Sequence, residues 1–460
     1  MANFPLSAAL VAVLASALGA APRMSLTLVP PSPVTDKIVL DVRAAVWNDE
    51  PVSAAFDTAV YLDREASGAL LHRETVWVAA NSAAGIAFRW PTRSHAGKHE
   101  IILAVKKGNQ AHRVRSPLTI LASPDRTTGK IDGAWFSIVH WSETEGHYMN
   151  RDLERLTDDD WRRQVRGLDR LSMNVIVIEE VFRNTAYPFK HNMERDGYPG
   201  RAFYDSKLYP GRMKIAARDP IGNILDEADR RGIHVFLGVG MYAFFDFSPG
   251  ALDWHKRVAT ELWKMYGHHP SFYGWYVSAE ICGNLLPCIA MGPEEARQAR
   301  KQVARFFREF RAHCRALAPD RPVMLAPNSH FMPQAETAWP ELLRNLDIVC
   351  PFGFHRQPKG DLTGEQAAAW LQRLCDETGA HLWLDLEVFD FEKGTRALVP
   401  RPVEGLVSDL TRFRNFEKVL CFEYTGLLNE PGTPRPPGGH GTSKLWQDYQ
   451  IYLDKRSHAK

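Results

Sequence analysis

Two carboxylates close short apolar runs in this chain. Glu280 ends Phe272-Tyr-Gly-Trp-Tyr-Val-Ser-Ala-Glu280, and Glu387 ends His381-Leu-Trp-Leu-Asp-Leu-Glu387. Runs of this length and composition read as strands of a parallel sheet buried on both faces. A charged group at the end of such a strand is costly unless it is paired or used. In a (β/α)8 barrel that end of the strand is where catalytic groups sit. Two carboxyls facing each other across a barrel mouth can break a glycosidic bond. One protonates the leaving oxygen, and the other attacks the anomeric carbon or activates a water that does so. A separation of about 5 Å implies retention of configuration, and a gap of roughly 6.5–9.5 Å implies inversion.

Other predicted strand ends add polar and aromatic groups: His140 and Trp141, Glu179 and Glu180, Asn328, His355, Glu423 and Tyr424. Of these, His140, Trp141, Glu180, Asn328, His355, Glu423 and Tyr424 are candidates for contact with sugar hydroxyls or for tuning the two carboxylates. Each also has a structural reading: a glutamate pairing with Arg183, a rim histidine, an asparagine in a turn after Pro327. A rival chemistry is a metal-dependent hydrolase or isomerase with Glu180, His140, His355 and Glu423 as ligands. No HxH or paired Asp/His pattern supports it, so neither metal nor cofactor is expected. A third reading is a barrel that binds glycans without turnover.

Fold class follows from the elements that must carry these residues. From residue 131 onward strands and helices alternate, the pattern of a parallel sheet with helical crossovers. The expected strands are Gly133–His140, Asn174–Glu179, His234–Val239, Phe272–Glu280, Pro322–Asn328, Ile348–Phe354, His381–Glu387 and Lys418–Tyr424. Helices fit between most of them, at Asp158–Leu171, Ile221–Arg231, Ala251–Tyr266, Pro293–Leu317, Trp339–Asn345, Gly364–Thr378 and Val403–Phe416, with Thr442–Leu453 last. Thr157 before Asp158 is a good helix start. Eight strands over residues 131–456 predict an α/β fold, a (β/α)8 TIM barrel with Glu280 after the fourth strand and Glu387 after the seventh. An insertion, Arg183–Asp219, is expected to lie over the site.

Residues 24–123 read differently. Strand-length runs at Ile38–Trp47, Ala54–Leu62, Glu74–Val78, Gly85–Trp90 and Glu100–Val105 are separated by turn residues, with no helical stretch among them. They predict a small all-β sandwich of immunoglobulin-like type. With no clear row of exposed aromatics, it is expected to brace the barrel rather than bind carbohydrate. Residues 124–130 read as the linker. Residues 1–21 read as a signal peptide, with an apolar stretch and small residues at its end but no Lys or Arg ahead of it, and predict a periplasmic or secreted protein.

A net charge of +2 gives no electrostatic argument for nucleic acid or an anionic membrane, and no later run is long enough to insert into a bilayer. The expected partner is a carbohydrate substrate. The oligomeric state is not legible. Of the six cysteines, Cys282 and Cys288 flank a short loop after Glu280 and could form a disulfide if the protein is exported. Cys314, Cys350, Cys375 and Cys421 read as inert core thiols.

The segments Ile221-Gly-Asn-Ile-Leu-Asp-Glu-Ala-Asp-Arg-Arg-Gly-Ile-His-Val-Phe-Leu-Gly238 and His269-Pro-Ser-Phe-Tyr-Gly-Trp-Tyr-Val-Ser-Ala-Glu280 resemble the (β/α)8 glycoside hydrolases. Within them the chain is most similar to a bacterial family of largely uncharacterised TIM-barrel glycosidases, to which Trp383-Leu-Asp-Leu-Glu-Val-Phe389 also conforms. The resemblance covers about residues 130–455. It implies an acid/base at Glu280 and a nucleophile at Glu387, as in the retaining clan with carboxylates on strands four and seven. That clan usually carries Asn before the acid/base, where this chain has Ala279. It also tends to place Tyr near strand six and Trp at strand eight, where this chain has Phe354-His355 and Glu423-Tyr424.

Overall fold

The computed structural model describes residues 22–183, 200–208, 211–240, 245–287 and 291–458. The expected leader, residues 184–199 and 209–210 of the Arg183–Asp219 insertion, and Cys288 lie outside the described residues.

Eight parallel strands close into a barrel in chain order, the eighth pairing with the first. They are Gly133–Phe136, Val175–Ile178, His234–Gly240, Phe272–Ser278, Val323–Leu325, Ile348–Val349, His381–Glu387 and Lys418–Phe422. Most are shorter at the carboxyl end than the sequence suggests. The apolar runs continue past the last ladder bonds into the loops of the mouth. The intervening helices start where the local chemistry allows. Thr157 and Asp160 form a reciprocal capping box before Asp158–Arg170, and Thr363 and Gln366 form another before Gly364–Thr378.

Strand side chains alternate between two apolar layers. Trp135, Val175, Val177, Phe236, Tyr276, Met324, Trp383 and Leu420 fill the barrel interior. Their neighbours Phe136, Ile176, Ile178, Leu237, Trp275, Val277, Leu384 and Val419 face the helices. This two-residue period decides which strand-end groups reach the mouth.

Residues 24–121 form two sheets around one apolar core that includes Leu40, Val42, Phe56, Val60, Ile101, Leu103 and Ile120. One sheet has three strands and the other five. Met24–Val29, Val34–Thr35 and Gln110–Leu121 are strands the sequence reading did not mark. This module sits on the N-terminal end of the barrel, and Val29 belongs to the interior layer itself. Tyr273 Oη donates to Leu28 O at 2.6 Å, Lys418 Nζ to Pro33 O at 2.6 Å, and Asn174 Nδ2 to Ser32 O at 2.6 Å. Arg43 reaches Asp347 at 2.8 Å, and Ser25 and Thr27 hydroxyls donate to Asp320 at 2.7 and 2.6 Å.

Candidate active site

A cavity of about 730 Å³ opens at the C-terminal end of the barrel. Its lining includes Glu280 and Glu387, together with Trp141, Glu145, Glu179, Tyr276, Asn328, Arg356, Asp385 and Arg396. Phe245, Phe352, Phe389, Phe391 and Phe422 supply apolar walls. Strand parity accounts for the carboxylates. Counting by twos from Tyr276 reaches Ser278 and then Glu280. Counting from Trp383 reaches Asp385 and then Glu387, and Val177 leads to Glu179.

The two leading carboxyls differ in electrostatic setting. Burial pushes the Glu280 pKa up, Arg356 pulls it back and the charge of Glu387 adds to the rise, leaving it at about 6. Burial also works against ionisation of Glu387, but contacts with His355 and Arg356 outweigh it and hold the group below the ordinary carboxylate range. Arg356 Nε and Nη2 both donate to Glu387 Oε1, at 2.8 and 2.5 Å, and His355 Nδ1 lies 3.1 Å from Oε2. One carboxyl is thus set to hold a proton and the other to be an anion, within reach of each other's field.

Further acids crowd the same end. Burial, followed by repulsion from Glu280, pushes Glu145 up to about 7. Glu423 is fully buried and pushed up to about 8, mainly by desolvation. Glu179 and Glu180 are buried and raised, each by desolvation first and a neighbouring glutamate second. Asp385 is raised by burial and then by Glu387. His140 is fully buried, and burial holds its pKa down to about 3, so the ring is neutral. Its Nδ1 accepts from Ser142 N at 3.0 Å, and its Nε2 lies 3.7 Å from Glu145 and 4.0 Å from Glu423.

The structure therefore brings Glu280, Glu387, Trp141 and Asn328 to the lining of one cavity, with His355 against Glu387. Glu423 and His140 lie beneath, in contact with each other but sealed from solvent. Glu180 is fully buried and absent from the lining, where its neighbour Glu179 stands instead. Tyr424 faces away from the cavity. Its ring stacks on Phe136 at 5.2 Å and it packs in the layer against the helices. The first is a one-residue parity effect, whereas Tyr424 lies two residues past the end of its strand at Phe422, where the alternation no longer holds. Ala279 likewise packs into that outer layer. Asp246, after the third strand, caps a turn by accepting from Ser248 N at 2.8 Å.

Four charged residues of the lining, Asp385, Arg356, Glu145 and Arg396, are not among those the sequence singles out. Asp385 is legible in retrospect, two residues before Glu387 on the same face. Arg356 follows His355 in a short 3-10 turn, Phe354–Arg356. Glu145 and Arg396 come from loops whose return to the mouth is set by tertiary contacts, including a bond from Leu398 N to Glu145 O at 2.9 Å. Among the described residues no group of three or more His, Cys, Asp or Glu has an arrangement fit to hold a metal ion. Cys282 is disulfide-bonded, and Cys288, its expected partner, lies outside the described residues. Cys314, Cys350, Cys375 and Cys421 are free and buried.

Comparison with known proteins agrees with the architecture. A crystal structure of a candidate alpha-L-fucosidase from Bacteroides thetaiotaomicron superposes with a TM-score of 0.52 at 17% identity, covering 73% of this chain and 96% of that one. A Bacteroides uniformis beta-glucuronidase aligns over 93% of this chain and 50% of its own, at 13% identity and a TM-score of 0.44. In sequence, beta-glucuronidase of Canis lupus familiaris is 29% identical over 130 residues, which are 28% of this chain and 17% of the dog protein. The chain thus spans a small part of the curated relatives it matches. The model of one family, described as a domain of unknown function (DUF4434), matches residues 131–434, from just before the first barrel strand to beyond the eighth, and the chain belongs to that family.

Proposed function

We propose that the barrel is a glycoside hydrolase that cleaves an O-glycosidic bond with retention, Glu280 acting as general acid/base and Glu387 as nucleophile. The observation that carries this reading is the opposite protonation preference of two carboxyls lining one cavity: Glu280 raised to about 6, and Glu387 kept anionic by Arg356 and His355. In the first step a Glu387 oxygen bonds to the anomeric carbon as the C–O bond to the leaving group breaks, and Glu280 gives its proton to the departing oxygen. In the second, Glu280 takes a proton from water, whose oxygen bonds to the anomeric carbon and releases Glu387. The aromatic walls suit the apolar faces of a sugar ring. The names of the glycosidases to which the chain is similar support the same class of reaction.

A panel of 4-nitrophenyl glycosides tests the proposal. Wild type is expected to release nitrophenol from at least one member, with the first-formed sugar keeping the anomeric configuration of the substrate by NMR. Glu387→Gly supplied with azide is expected to yield a glycosyl azide of inverted configuration. Full activity in a Glu280→Gln, Glu387→Gln double variant sinks the assignment.

The N-terminal module is read here as an immunoglobulin-like sandwich that braces the barrel, because its contacts with the barrel fall at the end opposite the cavity. Export to the periplasm or beyond is proposed with it, and the disulfide at Cys282 suits an oxidising compartment. Fractionation of the native host checks this. Recovery in the cytosol with Cys282 reduced argues against export.

A further inference from the structure

We propose that the cavity takes a sugar bearing an anionic substituent, and that Arg396 recognises its charge. The inference rests on the glycosidase reading above and deepens it to a substrate class.

Arg396 lines the cavity from the turn of a hairpin formed by Phe389–Phe391 and Leu398–Pro400. Its backbone has a positive φ of 62°, which a side-chain-bearing residue rarely adopts, and its N–H donates to Glu392 O at 3.0 Å. The guanidinium lies over the Phe391 ring, 5.4 Å from the centroid. The acid in its own turn is engaged elsewhere. Glu392 accepts from Tyr148 Oη at 2.9 and 2.8 Å and from Thr395 Oγ1 at 2.6 Å. Among the described residues Arg396 forms no ion pair. Arg356, the other arginine of the lining, is committed to Glu387.

The charge of Arg396 nevertheless reaches the cavity, where it acts on the Glu145 carboxyl. Glu145 and Glu280 hold protons below about 7 and about 6, and burial keeps Glu179 and Asp385 protonated as well. In mildly acidic solution the anion left on the wall is Glu387, which Arg356 offsets. Among the described residues of the lining, Arg396 is then the cation without an ion pair. A planar guanidinium with several donors matches an oxyanion, whether the carboxylate of a uronic acid or a sulfate ester. Because that group is held by a hairpin rather than by the barrel strands, it suits a substituent distant from the anomeric carbon.

Titration calorimetry at pH 5 and low salt tests this with free hexuronic acids, hexose 6-sulfates and neutral hexoses of matched configuration. At least one anionic sugar is expected to bind about 10-fold or more tightly than its neutral counterpart, the scale of a charge-assisted hydrogen bond. Arg396→Gln is expected to bring that ratio close to one, and Arg396→Lys to keep part of it. The arm that binds separates carboxylate from sulfate. Equal or tighter binding of the neutral sugars, no binding of any anionic sugar, or an unchanged ratio in Arg396→Gln overturns the proposal. Turnover of neutral aryl glycosides without preference for charged ones overturns it while leaving the hydrolase reading intact. Selective anionic binding without turnover of any aryl glycoside does the reverse.

Discussion

At the N-terminal end of the barrel Asp347 is fully buried and meets Arg43, Arg311 and Arg315 at 2.8, 2.5 and 3.3 Å. At the C-terminal end Glu179, Asp385 and Glu423 are buried to a similar degree, yet among the described residues none has an arginine or lysine within ion-pair distance. The electrostatic results are opposite. Burial works against the Asp347 anion, but three guanidiniums outweigh it and hold its pKa far below the usual range. The same desolvation, with no cation within ion-pair distance, raises Glu179, Asp385 and Glu423, and the more distant charge of Arg356 does not reverse the rise at Asp385. Asp132 repeats the pattern of the base, meeting Lys418 at 3.3 Å and the Val419 N–H at 3.1 Å. One end of the barrel uses buried acids to fix a neighbouring module in place, and the other keeps them as protonated or poised groups around a cavity. On the function proposed above, buried charge at the base belongs to stability and buried carboxyls at the mouth belong to chemistry.

Exchanging a carboxylate for an amide at each end gives the sharpest separation. Glu387→Gln is expected to lower kcat/KM by about 10⁴-fold or more, since under the proposed mechanism it replaces the carboxylate that bonds to the anomeric carbon with a weakly nucleophilic amide. Glu280→Gln is expected to cost about 10²–10⁴-fold and to abolish the alkaline limb near pH 6 that loss of its proton imposes on wild type. Glu280→Gln should not lower the midpoint of urea unfolding, because burial opposes its charge, and Glu387→Gln should lower it only slightly, because the Arg356 it leaves unpaired is partly exposed. Asp347→Asn should do the converse, costing on the order of 3 kcal/mol by removing the counter-ion shared by Arg43, Arg311 and Arg315, with only Asp41 left to the buried Arg43. Activity of the folded fraction should be unchanged. A Glu387→Gln variant destabilised as much as Asp347→Asn breaks the contrast and makes Glu387 a structural ion.

The sequence carried much of this arrangement because both ends of the barrel depend on short-range periodicity. Glu280 and Glu387 were legible as charges terminating apolar runs, and their strand numbers followed from counting. His381–Glu387 and Pro293–Leu317 coincide with the observed elements, since Gly379 closes the preceding helix and Pro293 opens its own. Choosing between adjacent residues was harder. Glu179 rather than Glu180 lines the cavity, because a strand reading that is uncertain by one residue exchanges the two faces, and Tyr424 turns outward because its strand, and the alternation with it, ends at Phe422. Arg356, Arg396 and Glu145 arrive on loops, where no period operates and placement depends on contacts made by the finished fold. The contacts at the base were equally hidden, since Arg43 and Asp347 are more than 300 positions apart in the chain.

The comparison also predicts opposite responses to pH at the two ends, a smaller effect. Glu423 and Glu145, pushed up to about 8 and about 7 chiefly by burial, keep protons in the folded state that the unfolded chain releases near pH 4.3. Their contribution to stability is complete below that value and declines as pH rises through 7 and 8. Asp347, lowered in the folded state, contributes fully above its unfolded pKa of about 3.9 and loses that contribution as pH falls below it. Unfolding free energy should therefore be highest near pH 4, fall from there toward pH 8 because of the mouth, and fall at lower pH because of the base. Glu423→Gln is expected to flatten the alkaline side by on the order of 1–3 kcal/mol between pH 5 and 8, leaving the acid side as in wild type. Urea unfolding at each pH checks this. Parallel curves for wild type and Glu423→Gln across the alkaline range mean that Glu423 is ionised in the folded protein, with a cation that compensates it as Arg43 compensates Asp347.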